Sequence, residues 1–235
     1  WSAGLPVDEV RIAQNFPDPT LWYYYRGPVE HVVLPPQPHD AAGARAIVAE
    51  LLEQGVQRVL LPEQAAPNWD EQSLAAGALA RRYMPLVEQQ VGVWPLRLYQ
   101  RPFLTRTPIT APFQNGVQLT GFAHYPAQVF PGNVLIVALT WQGAITVPAR
   151  DLKVFVQLLS AQGELLAQAD RPFPADALST HQPTYYDILL PTSIGPGPYR
   201  LIAGLYDGAS EGLPRFLTTR GEDFVELTVL LAEGS

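Results

Sequence analysis

The feature that most constrains the fold is a period-two alternation of apolar residues in the second half of the chain. Apolar side chains occupy every second position of residues 152–158 and again of residues 199–205. This spacing is typical of antiparallel strands that bury one face. Glycines and prolines, such as those at 195–198, separate the apolar segments and mark turns. We predict strands at about 117–125, 134–141, 152–159, 164–170, 185–190, 199–206 and 223–231, which together favour a β-sandwich.

The first half of the chain alternates short strand patterns with helical ones. We predict strands at about 10–14, 31–34, 58–61 and 94–99, and helices after Asp18, after Asp40 and at about 73–83. This repeated order favours a small, mainly parallel sheet with helices packed on it. The predicted fold class is therefore α+β in two domains. A small α/β domain covers residues 1–103, a linker rich in proline and threonine covers 104–112, and an antiparallel β-sandwich domain covers 113–235.

The composition limits the classes of partner. The 235 residues are 47% apolar and 16% charged, which is typical of a folded chain with a sizeable core. The formal charge of −7 argues against a nucleic-acid surface, whose footprint is a basic patch. The apolar run at 134–139 is far shorter than the roughly 20 residues of a membrane helix. We therefore expect no nucleic-acid partner and no direct membrane insertion of this chain.

The sequence contains no motif that would indicate catalysis or a cofactor. It has no cysteine, no glycine-rich phosphate loop, no HExxH zinc motif and no GxSxG nucleophile motif. Neighbouring acids such as Asp70 and Glu71 would point to opposite faces of a strand and could not share a substrate. We therefore predict no catalytic residue, no metal ligand and no cofactor.

Polar residues at the ends of the predicted parallel strands form one candidate site. Ligands of such sheets bind beyond the carboxyl ends of the strands. The residues in this region are Asn15, Asp18, Gln37, His39, Asp40 and Glu63. An enzymatic site here would use Asp18, His39 and Asp40. We favour the alternative interpretation, in which Asp18 and Asp40 cap the helices that follow them.

Aromatic residues form the other candidate site. Four rings follow one another in a short predicted helix at residues 22–25, and Tyr185 and Tyr186 lie in a predicted strand. Rings with polar tips suit both sugar faces and protein interfaces. We expect Trp22, Tyr24, Tyr25, Tyr185 and Tyr186 to be possible ligand or interface residues, although core packing is the favoured interpretation of the helical cluster.

Two stretches of the sequence resemble a known family. The first is QNFPDPTLWYYYRG with HVVLP, within residues 14–35. The second runs from WQ at 141–142 through VFVQLL, AQAD and PGPYRL to GLYD at 204–207. Together these stretches resemble the C-terminal extracytoplasmic region of bacterial family-39 (protein-mannosyltransferase-like) polytopic membrane glycosyltransferases.

The resemblance implies a membrane-bound parent that transfers a sugar from a polyprenyl-phosphate donor. The catalytic acids of that family lie in a loop between the first membrane helices, so the resemblance assigns no catalytic residue to this chain. It implies a non-catalytic tail on the extracytoplasmic face of a bacterial membrane, tethered through transmembrane helices outside this sequence. The partners would be the membrane domain of its own parent and a glycan or glycosylation acceptor.

Two further expectations complete the hypothesis. Because the sequence starts at Trp1 without a methionine, we expect a piece of a larger protein. The alternative function is that of a free secreted carbohydrate-binding or adhesion module, which a β-sandwich with several tryptophans and tyrosines would suit.

Overall fold

The structure, a computed structural model, describes residues 1–2, 4–147 and 151–232. The chain divides into two compact units. The first unit is Ser2–Pro102, and the second unit is Phe103–Ser235 together with Trp1. Each unit has a hydrophobic core of its own.

The first unit contains three helices and five strands among the described residues. In chain order these are β1 (Val10–Gln14), α1 (Pro19–Tyr24), β2 (His31–Val33), α2 (Ala41–Glu53), β3 (Arg58–Pro62), α3 (Leu74–Ala80), β4 (Met84–Val91) and β5 (Trp94–Gln100). The strands form one sheet in the order β2-β1-β3-β5-β4. Apolar residues of α2 and α3, such as Val48 and Leu79, pack with Val59 and Leu61 of β3 in the core.

The predicted mainly parallel sheet is wrong. Strand β1 is parallel to β2 and β3, but β3 pairs with β5, and β5 with β4, in antiparallel orientation. Strand β4 was not predicted, because a register shift between Pro85 and Val87 breaks its period-two pattern. With β4 included, residues 84–100 form a hairpin that turns at Gly92, whose φ of 62° suits glycine.

The second unit contains nine strands and one short helix in its described part. In chain order these are β6 (Thr107–Pro112), β7 (Val117–Tyr125), β8 (Val134–Gly143), β9 (Leu152–Leu159), β10 (Leu165–Pro172), α4 (Ala177–Thr180), β11 (Thr184–Leu189), β12 (Pro198–Asp207), β13 (Arg215–Phe216) and β14 (Val225–Leu231). One sheet has the order β11-β8-β7-β6. The other has the order β10-β9-β12, with β13 and β14 both paired to β12. The predicted linker thus includes β6, which pairs with β7.

The two sheets of the second unit share one core and make it β-sandwich-like. Val137, Leu139 and Trp141 of β8 lie in the same buried cluster as Val154 and Val156 of β9. Among the described residues, strands amount to 43% and helices to 13%, so the protein is mostly β, with antiparallel pairs in all three sheets. This corrects the predicted α/β character of the first half.

None of the helices in the described part of the chain combines the length and the apolar character that crossing a bilayer requires.

Candidate functional site

A cleft lies on the outward face of the sheet that contains β9, β10 and β12. Val154, Val156 and Leu158 of β9 lie in the core. Because successive side chains of a strand point to opposite faces, the residues between them point to the outward face. We call this opening of about 470 Å³ the sheet-face cleft. Its lining residues are Phe155, Gln157, Gln168, Asp170, Tyr206, Gly212, Leu213 and Arg215.

Strand register brings these side chains together from distant parts of the sequence. Gln157 is paired with Gln168 and Phe155 with Asp170 across β9 and β10. The Gln157 Nε2 group donates a hydrogen bond of 3.0 Å to Gln168 Oε1. The amide groups of Gln157 and Gln168 and the carboxyl group of Asp170 therefore lie side by side on a sheet, and a sheet is the kind of support that a precise binding site needs.

Aromatic rings form the floor of the sheet-face cleft. The Phe155 ring lies over Gly204 of β12, where an added Cβ would be only 2.3 Å from Phe155 Cζ. The Arg215 guanidinium covers the same ring at 4.5 Å from its centroid and pairs with Asp223 at 2.8 Å. The Tyr206 and Phe155 ring centroids are 6.3 Å apart. Because Arg215 shields Phe155, the partly exposed Tyr206 offers the accessible ring.

Charge in the sheet-face cleft centres on Asp170. Partial burial raises the pKa of Asp170, and a hydrogen bond with the Tyr206 hydroxyl and the nearby Lys153 ammonium act against that rise. Partial burial also raises the pKa of Tyr206, and Asp170 adds to it. The cleft thus places the carboxyl group of Asp170 beside the phenol hydroxyl of Tyr206.

The chemistry of the sheet-face cleft suits a polyhydroxylated ligand. Planar amide, carboxylate and guanidinium groups can each form hydrogen bonds with two neighbouring hydroxyls of a ligand, and ring faces pack against the C–H groups of the ligand. The volume falls in the usual range for small-ligand sites of about 300–1,000 Å³.

None of the residues of this cleft was predicted, although several of them lie in motifs that stand out in the sequence. Phe155 and Gln157 lie in VFVQLL, Gln168 and Asp170 in AQAD, and Tyr206 in GLYD, which are motifs that carry the family resemblance. The alternation that places Val154 and Val156 in the core also places Phe155 and Gln157 outside. What the sequence could not provide was the register that joins the three segments.

The residues proposed at the strand ends do not converge as an enzymatic site would require. Asp18 is buried and caps α1, where its Oδ1 accepts a 2.8 Å hydrogen bond from the Thr20 amide. Asp40 caps α2 and accepts a 2.8 Å bond from the Gly43 amide. His39 is exposed, with a φ of 59° and its backbone amide bonded to the Trp69 carbonyl. The capping roles are those that the sequence analysis favoured.

A second cleft does open at this edge, with a different lining. We call it the strand-end cleft, and its volume is about 450 Å³. It is lined by Asn15, Glu63, Gln64, Ala65, Ala66, Pro67, Asp70, Glu71 and Ser73. Asn15 and Glu63 directly follow β1 and β3, as the sequence analysis expected of this edge. From the sequence, Asp70 was considered only as one of two neighbouring acids that could not share a substrate, but Asp70 is buried and only 6% exposed.

The aromatic residues of α1 are mostly exposed. Trp22 and Tyr24 are 51% and 73% exposed, and no residue of α1 is buried. Tyr25 is held more firmly, because its hydroxyl accepts a 3.3 Å hydrogen bond from the Val29 amide and its ring packs against His31 at 4.8 Å. The favoured core packing thus does not describe Trp22 and Tyr24, which present an aromatic surface.

The rings of Tyr185 and Tyr186, both in β11, pack against other residues of the second unit. Tyr185 stacks on Phe103, with ring centroids 5.8 Å apart, and its hydroxyl accepts a hydrogen bond from the Phe103 amide. Tyr186 is 1% exposed and belongs to the core, where burial raises the pKa of its hydroxyl to about 12. Neither ring is open to a ligand.

Comparison with known proteins gives likenesses to solved structures alone, since no family model and no curated protein matches the chain. The C-terminal domain of wzt is 11% identical and has a TM-score of 0.37. That match covers 57% of this chain and 81% of the domain. A beta-glycosidase from Bacteroides vulgatus is 14% identical (TM-score 0.28; 57% of this chain, 14% of the enzyme). A Ruminococcus gnavus beta-glucuronidase is 10% identical, with a TM-score of 0.22, and the match covers 57% of this chain and 17% of the enzyme. The chain thus spans less than a fifth of either enzyme, and such low TM-scores say nothing about function.

Proposed function

We propose that this chain is a non-catalytic glycan-holding region, and that the sheet-face cleft is its binding site. The observation that supports the proposal is the convergence of Gln157, Gln168, Asp170 and Tyr206 on one outward sheet face. These groups offer hydrogen-bond donors, acceptors and a ring face at fixed spacing, which is what recognition of a sugar requires.

The proposed parent is a family-39-like membrane glycosyltransferase that uses a polyprenyl-phosphate-linked sugar. Support comes from the resemblance in sequence, three of whose motifs supply residues to the sheet-face cleft. In such a parent the chain would lie on the extracytoplasmic side and hold a glycan or acceptor near the membrane domain. The exposed rings of Trp22 and Tyr24 would be available for contact with that domain.

Glycan-array binding by the intact chain tests the binding site. We expect at least one glycan to bind, and Gln157→Ala and Tyr206→Ala each to weaken it about tenfold, because each removes hydrogen bonds to the ligand. Gln182→Ala, a matched change of an exposed glutamine outside the cleft, should leave binding unchanged.

Two results would contradict the site. One is an array with no bound glycan. The other is binding that is lost in Trp22→Ala and retained in Gln157→Ala, which would move the site to α1. Thermal unfolding of each variant confirms that loss of binding is not loss of fold.

The proposal of a membrane-bound parent is tested separately, by reading the gene sequence upstream of the codon for Trp1. A glycosyltransferase parent requires several upstream apolar segments of about 20 residues. A secretion signal alone would instead favour the free carbohydrate-binding or adhesion module, which would use the same cleft.

A further inference from the structure

Asp70 in the strand-end cleft is a buried carboxylate without a counter-charge. It is 6% exposed. Its Oδ1 accepts hydrogen bonds from the backbone amides of Leu74 and Ala75. The Asn15 side-chain amide also interacts with this carboxylate. The Oδ2 atom is buried as well, and within the described residues it has no hydrogen bond of good geometry and no paired cation. Buried carboxylates are ordinarily paired, because an unpaired charge is costly in the interior.

The charged neighbour of Asp70 makes this imbalance larger. Burial raises the pKa of Asp70, the Ala75, Leu74 and Asn15 amides lower it, and Glu63, which has the same charge, adds a smaller rise. Glu63 has a cation of its own, since Arg97 Nη1 lies 2.9 Å from its Oε2. The same Arg97 also binds Glu88, so its charge is shared between two carboxylates. Glu71 adds another negative charge to the lining.

The position of the cleft in the sheet is one where ligands bind. Strand β1 lies between β2 and β3. The connection after β1 therefore leads to its neighbour on one side, β2, and the connection after β2 leads to its neighbour on the other side, β3. In open sheets with parallel strands, the crevice at the carboxyl ends of such a strand pair is the usual ligand site. Asn15 and Glu63, which follow β1 and β3, line the cleft at this crevice.

Hydrogen bonds hold one wall of the cleft in place. Asn15 Nδ2 donates to the Gln64 carbonyl at 2.7 Å, and the Gln64 amide donates to Asn15 Oδ1 at 3.2 Å. The Gln64 side chain in turn donates to Asp18 Oδ2 at 2.8 Å. This wall is therefore pre-organised, and a ligand would not need to order it.

We propose that the strand-end cleft binds a small ligand through a protonated primary amine held by Asp70. An ammonium group supplies the positive charge that Asp70 lacks and a well-aligned hydrogen-bond donor for its Oδ2, and charge-assisted bonds of this kind are strong. Phosphate and other anions would be repelled by the carboxylates that line the cleft. A metal ion is a poorer occupant, because the described residues contain no group of three metal-ligating side chains.

The ammonium could belong to an amino sugar or to a lysine side chain, and calorimetric titration of the intact chain at pH 7.5 distinguishes these sources. The probes are glucosamine with N-acetylglucosamine, and Nα-acetyl-lysinamide with Nα,Nε-diacetyl-lysinamide. Each pair differs in the charge of one nitrogen. We expect one charged probe to bind and its acetylated partner to bind at least about tenfold more weakly.

The matched variants are Asp70→Asn and Asp40→Asn. Both remove one negative charge from a helix-capping side chain of the first unit, and asparagine caps about as well as aspartate. We expect Asp70→Asn to reduce binding of the charged probe at least about tenfold and Asp40→Asn to leave it unchanged. The proposal is overturned if neither charged probe binds, if Asp70→Asn binds as tightly as the unchanged chain, or if both variants lose binding equally. Because the sheet-face cleft shares no residue with this one, failure here leaves the glycan-holding proposal intact.

Discussion

At the scale of single residues, two buried carboxylates of the first unit have opposite electrostatic surroundings. Burial alone would raise the pKa of Asp18, but hydrogen bonds from Gln64 and Thr20 outweigh it and hold the pKa below its ordinary value. Burial raises the pKa of Asp70, and its backbone hydrogen bonds and the Asn15 amide do not offset the rise. The charged form of Asp18 is therefore stabilised by folding, whereas that of Asp70 is destabilised by it.

This difference predicts a pH-dependent effect of Asp70→Asn on stability. Because the folded pKa of Asp70 lies above its ordinary value of 3.8, the folded chain binds this proton more tightly than the unfolded chain does. Ionised Asp70 thus lowers the free energy of unfolding at pH 7, and this effect disappears as the pH falls through the raised pKa. We expect Asp70→Asn to be more stable than the unchanged chain at pH 7, with the difference fading toward pH 4.

Urea unfolding at pH 7 and pH 4 measures the effect. Asp40→Asn is the control for the loss of one charge. An Asp70→Asn variant that is less stable at pH 7 would show that Asp70 gains more from its charge than burial costs it.

At the scale of elements, the contact between β9 and β12 depends on one glycine. A Cβ at Gly204 would overlap the Phe155 ring, with Cζ at 2.3 Å, and would lie 3.1 Å from the Asp223 carbonyl oxygen. We expect Gly204→Ala to displace the ring, to lower the free energy of unfolding by about 1–3 kcal/mol, and to weaken glycan binding in the sheet-face cleft. Chemical denaturation and the glycan titration measure the two effects.

A second glycine provides the opposite case. Gly77 is exposed within α3, and an added Cβ there would meet no atom within 4 Å. Because alanine is the better helix former, we expect Gly77→Ala to raise the free energy of unfolding by about 1 kcal/mol and to leave glycan binding unchanged. Stabilisation by both substitutions would contradict the close approach of Phe155 to β12.

The elements also show where sequence patterns are informative. The helix caps at Asp18 and Asp40 were predictable, because a cap is a local interaction between a side chain and amides two or three residues away. Strand β4 was not, because its register shift at Pro85–Val87 removes the alternation that identifies a strand. Missing that one strand turned a mixed sheet into a predicted parallel one.

At the scale of the whole molecule, the candidate sites depend on contacts between distant segments. Tyr206 lies 36 or more positions along the chain from Asp170 and Phe155, so strand register alone makes them neighbours. Alternation shows which residues of a strand face outward, but it does not show which strands are adjacent. Asp70 is a similar case, because the strand-end cleft joins it to Asn15, which follows β1.

The central proposal for this protein is that the sheet-face cleft holds a glycan. The direct measurement is an NMR titration of the intact, ¹⁵N-labelled chain with the glycan that binds best on the array, following the side-chain amide signals of Gln157 and Gln168. The account predicts that these two signals shift together and saturate, while the Gln182 side-chain signal stays in place. Saturable binding that leaves Gln157 and Gln168 unmoved and shifts signals of residues 18–26 instead would contradict it.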